Sequence, residues 1–123
     1  MEEVSNLDQL ESIKSLQSTI SKLENALSQM TSNGANTTLV EKRLHAVSIG
    51  LAMLQNAWNQ TTHQYTQEEL AEARNVITGL FPSIENSYAK SKTGSPQRTL
   101  LERRMKAMER SIQAIDRTLT KEG

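Results

Sequence analysis

The chain has 123 residues, fourteen basic and fourteen acidic, with no cysteine and only four aromatic side chains, Trp58, Tyr65, Phe81 and Tyr88. This excludes a disulfide framework and thiolate metal sites, and leaves core volume to Leu, Ile, Val, Met and Ala, a palette suited to helices. The charge balance is uneven: residues 1–89 hold five basic against ten acidic side chains, and residues 90–123 hold nine against four.

No stretch is apolar for long enough to cross a bilayer, and residues 1–30 lack the continuous apolar run of a signal peptide. The expectation is a cytoplasmic protein without membrane contact.

The first element opens at Ser5 and Asp8. A Ser or Thr followed three residues later by an acid can satisfy two of the backbone N–H groups that a helix start leaves unpaired. Leu16, Ile20, Leu23 and Leu27 then recur at helical spacing, and Asn33-Gly34 supplies a stop. The second element starts at Thr38 and Glu41 and carries Val40, Leu44, Val47, Leu51, Leu54 and Trp58. The polar segment 61–65 ends it.

Thr66 and Glu69 open the third element, which Gly79-Leu80-Phe81-Pro82 interrupts. Proline lacks the donor for its helical hydrogen bond and clashes with the preceding turn, so a kink at Gly79 and Pro82 follows. Glu68, Glu69 and Glu72 fit the positive end of this helix. After Gly94-Ser95-Pro96, Thr99 and Glu102 mark the fourth start, with Leu101, Met105, Met108, Ile112, Ile115 and Leu119 behind them. Both long seams run 4-3-4-3-4, the spacing of a bundle.

A shift of 61 residues lays one seam on the other and aligns Thr-Leu-x-Glu-x-Arg-x-x-Ala at 38–46 with the same pattern at 99–107. One helical hairpin cannot cover its own apolar stripe, whereas two can cover each other. The reading is an all-α fold, an up-down-up-down four-helix bundle of one domain spanning 1–123. It is built from tandem hairpins at about 5–60 and about 66–121.

Departures from the repeat point to specialisation. The second helix carries Ala46, Ile49, Gly50, Met53 and Ala57 beyond its seam, making it apolar nearly all round. Such a helix is either central in its own chain or covered by a partner. The partner reading is preferred, giving a homodimer through this strip and a folded monomer for Ile49→Asp with Met53→Asp. The fourth helix instead shows Arg103, Arg104, Lys106, Arg110 and Arg117, interleaved with Glu102, Glu109 and Asp116. Interleaved charges of this kind are first of all a solvated face; the functional alternative is a basic stripe for a nucleic-acid backbone or an acidic partner, from which the alternating acids detract.

The two histidines, His45 and His63, have no metal-ligand spacing, and no phosphate loop or nucleophile motif is present. The expectation is no catalysis, no cofactor and no metal. What remains is a small protein–protein interaction module, an adaptor, regulator or accessory factor; a bundle holding a small apolar ligand near the kink is a second alternative.

Overall fold

The computed structural model describes residues 4–122, and every regular element among them is an α-helix. In chain order these are α1 (Asn6–Ser32), α2 (Thr38–Asn59), α3 (Gln67–Thr78), α4 (Phe81–Lys90) and α5 (Pro96–Glu122).

Two of the four expected starts form at the expected residues, one by half and one in full. Ser5 Oγ accepts the Asp8 N–H at 3.2 Å. Thr66 and Glu69 make the full reciprocal box, at 3.0 and 3.1 Å. The other two move. α2 is entered through Thr37, whose hydroxyl donates to Glu41 Oε2 at 3.2 Å, while Asn36 Oδ1 accepts the Thr38 N–H at 2.9 Å. α5 begins three residues before Thr99. Ser95 Oγ accepts the Arg98 N–H at 3.2 Å and Pro96 takes the first helical position, where its missing donor is no loss. Gly94-Ser95-Pro96 is therefore a stop and a start at once. Thr99 lies inside the helix, its hydroxyl turned back to the Ser95 carbonyl oxygen at 3.5 Å.

The interrupted element is two helices: α3 ends at Thr78 and α4 begins at Phe81. Pro82 sits in the first turn of α4, and Gly79 has an ordinary right-handed φ of −68°. The proline, rather than glycine's freedom, accounts for the break.

Packing centres on α2 and α5. They touch each other, α1 and α3 each lean on both, and α4 rests on α5. α2 buries Ala46, Val47, Gly50, Met53 and Leu54. α5 buries Ala107, Met108, Ser111, Ala114 and Ile115, the positions 61 residues further on. Both buried faces are rotated toward one side of the apolar seams: Val47, Leu54, Leu101, Met108 and Ile115 are buried, whereas Val40, Leu44, Leu51, Met105 and Ile112 are only half-buried. Small side chains explain the rotation, because they let two helix axes approach where leucines would hold them apart. A Cβ on Gly50 would lie 3.2 Å from Ser111 Cβ and 3.1 Å from Ile77 Cδ1, so α2 meets α5 and α3 with no room to spare.

Candidate functional site

The strip read as a partner surface is inside the molecule. Ile49 is 1% exposed and Met53 0%, Ala46 and Gly50 are buried, and Ala57 is half-buried. The neighbours that cover α2 are α1, α3 and α5 of the same chain. Of the two causes weighed for an all-round apolar helix, the central position holds. The sequence signal that was missed is Ala107-x-x-x-Ser111 on α5, which matches Ala46-x-x-x-Gly50 and supplies the opposing small strip. Carboxylates at 49 and 53 would have to be desolvated in this core, which excludes a folded monomer as their outcome.

The basic stripe of α5 is also partly taken up, in this case by α1. Arg110 keeps only 19% of its side chain exposed; its Nη1 donates to Ser12 Oγ at 2.9 Å and its Nη2 lies 4.0 Å from Asp8 Oδ2. Arg103 Nη2 is 3.6 Å from Glu11 Oε1. Arg104 is half-buried, its Nε has no hydrogen-bond partner among the described residues, and burial lowers its pKa. Lys106 and Arg117 are exposed. Arg74 pairs with Asp116, and this hydrogen bond is the main reason its pKa is raised. Arg98 stacks on Tyr88, with its guanidinium carbon 4.1 Å from the ring centroid, and donates to the Ser91 carbonyl oxygen at 3.1 Å.

This α1–α5 contact joins a buried hydroxyl to partly exposed charges. Ser12 is 2% exposed yet faces a guanidinium, and along the first ten residues of α1, Asn6–Ser15, it is the one side chain that is fully buried. A hydrogen bond to a charged group contributes about 1.5–3 kcal/mol, and a solvent-exposed pair such as Arg103–Glu11 about 0–1 kcal/mol. The outer side of the same segment leaves Leu7 65% and Leu10 50% exposed. Beside it, a groove of about 280 Å³ runs between Lys14, Ser15 and Ser18 of α1 and Leu100, Arg103 and Arg104 of α5.

Other features are less specific. A cleft of about 580 Å³ opens between the C-terminal halves of α2 and α5, lined by Ala57, Ala114, Arg117 and Lys121 among others. The α1–α5 groove and this cleft are not lined by the Gly79–Pro82 segment suggested for a small ligand. His45 Nε2 lies 3.9 Å from Glu69 Oε2, and His63 stacks on Tyr65 while its Nδ1 accepts the Tyr65 N–H at 3.2 Å. Among the described residues no group of three His, Cys, Asp or Glu side chains is placed to hold a metal, and no helix is long and apolar enough to cross a membrane. No protein-family model matches the chain, nor does any curated protein or solved structure.

Proposed function

We propose that this protein is a small, non-enzymatic helical interaction module, an adaptor, regulator or accessory factor that acts by presenting helix faces and associates with itself. Its architecture on this reading is an up-down-up-down four-helix bundle made by tandem duplication of a hairpin, with α3 and α4 as one broken arm. Two things support the duplication: the buried positions of α2 and α5 agree under the 61-residue shift, and Gly50 meets Ser111, its counterpart under that shift.

The observation that carries the interaction reading is the pair Leu7 and Leu10. They stand three residues apart on the outer side of α1, and both are at least half exposed. Isolated surface leucines need no explanation, but two on one helical face add up to an apolar patch that self-association would cover. With the α2 strip closed inside the chain, this patch takes its place as the self-association surface.

Multi-angle light scattering between about 5 and 200 µM tests it, a range set to catch micromolar association. The wild type should move toward dimer mass with concentration, and Leu7→Asp with Leu10→Asp should stay monomeric with an unchanged helical signal. A wild-type monomer across the whole range would remove the self-association reading.

A further inference from the structure

We infer that the first ten residues of α1, Asn6–Ser15, are a displaceable cover over the basic face of α5, and that this face, once uncovered, receives an acidic amphipathic helix from a partner protein. The inference deepens the interaction-module reading by naming a second surface and the chemistry of its partner.

Three observations lead to it. First, the segment is weakly seated: Ser12 is its one fully buried side chain, and its leucines at 7 and 10 face away from the core. The first fully buried apolar residue of α1 is Leu16. Segments that bury little open at a fraction of the cost of global unfolding. Second, what holds the segment is charge and hydrogen bonding, through Arg103 to Glu11 and through Arg110 to Ser12 and Asp8. Such contacts can be exchanged for equivalent ones from another molecule, whereas a packed apolar seam would first have to be exposed to water. Third, release would free Arg103 and Arg110 beside Lys106, which is already exposed, and Arg104, whose Nε lacks a partner among the described residues.

α1 itself shows which occupant the face fits. It presents carboxylates at positions i and i+3 and a hydroxyl at i+4, namely Asp8, Glu11 and Ser12, on one side of a helix. A partner helix with that pattern would reproduce the contacts, while Leu16 stays seated in the core. A nucleic-acid backbone fits less well, because Glu102 and Glu109 are exposed on the same helix and repel phosphate.

The test uses the full chain and a fluorescein-labelled synthetic peptide of residues 1–20, which carries four acids against one lysine. Asp8→Lys with Glu11→Lys should expel the cover. Fluorescence anisotropy at low salt should then show at least about tenfold tighter peptide binding than wild type, about 1.4 kcal/mol in a single equilibrium. Adding Arg103→Glu and Arg110→Glu should abolish it. In the wild type, hydrogen exchange should be faster at amides 10–15 than at 46–54.

Peptide affinity within twofold of wild type in the lysine variant would overturn the inference. So would equal protection of the two segments in the wild type, a measurement that needs no variant to fold. Preference of the lysine variant for duplex DNA over the peptide would overturn the partner class. Self-association measured by light scattering is a separate readout, so the loss of either reading leaves the other to be judged by itself.

Discussion

Two segments that flank the central pair, α3 and the N-terminal half of α1, are seated mainly by different chemistry. α3 buries Leu70, Ala73 and Ile77 against a core in which α2 contributes Ala46, Ile49, Gly50 and Met53. The N-terminal half of α1 meets α5 with Asp8, Glu11 and Ser12 set against Arg103 and Arg110. Under the 61-residue shift Ser12 corresponds to Ala73, and Arg110 to Ile49. α3 is therefore fixed mainly by loss of water from apolar surface, with the Arg74–Asp116 pair added at its edge, and the N-terminal half of α1 by contacts that water and salt compete for. Permanence belongs to the first segment and exchangeability to the second.

The harshest way to break this comparison is to charge the apolar side. Met53→Asp buries a carboxylate at a position with 0% exposure and removes a side chain from the middle of the core. A loss beyond about 4 kcal/mol is expected, enough to leave little folded protein in a domain of this size. Circular dichroism with urea titration measures it; a cooperative transition near the wild-type midpoint would mean that α2 is not central.

That expectation reverses the one drawn from sequence, and the reason is local. Four helical elements were legible from apolar spacing and start signals, the third as one interrupted element that the structure resolves into α3 and α4, and two of the starts from Ser5 and Thr66, because these signals lie within a few residues of chain. Which side of an apolar-all-round helix meets its own chain depends on a segment some 60 residues away. The strip Ala107, Ser111 and Ala114 sits among charged residues and reads as polar until α2 is laid against it. The start of α5 was misplaced for a related reason. Ser95-Pro96 and Thr99-Glu102 are both valid entries, and the hydrogen bond from the Arg98 N–H to Ser95 selects the earlier one. The engagement of Arg103 and Arg110 by α1 had no local signal, since Asp8, Glu11 and Ser12 are about 90 to 100 residues away in sequence.

A second experiment sharpens the comparison by converting one side into the other. Ser12→Ala with Arg110→Ile places on the polar contact the residues found at 73 and 49. Replacing both partners of a hydrogen bond by apolar groups of similar shape can be nearly neutral or stabilising, because no polar group then has to be held away from water. The double variant is expected to be at least as stable as wild type by urea titration, and its hydrogen exchange at amides 10–15 should slow. A clear loss of stability would show that Arg110 and Ser12 contribute more than the desolvation they cost.

The smallest effect probes the contact without rebuilding it. Glu11→Gln removes the charge facing Arg103 and keeps the shape of the side chain. Arg103 and Glu11 leave 48% and 34% of their side chains exposed, so solvent screens the pair and the expected loss is at most about 1 kcal/mol. Its signature is salt dependence rather than size. The difference between variant and wild type should shrink from 20 mM to 500 mM NaCl, as the screening length falls from tens of ångströms to a few. Met53→Asp carries no such dependence, because its cost arises in a core that ions do not enter. A Glu11→Gln effect that persists unchanged at high salt would place its origin in packing and would remove the contrast between the two segments.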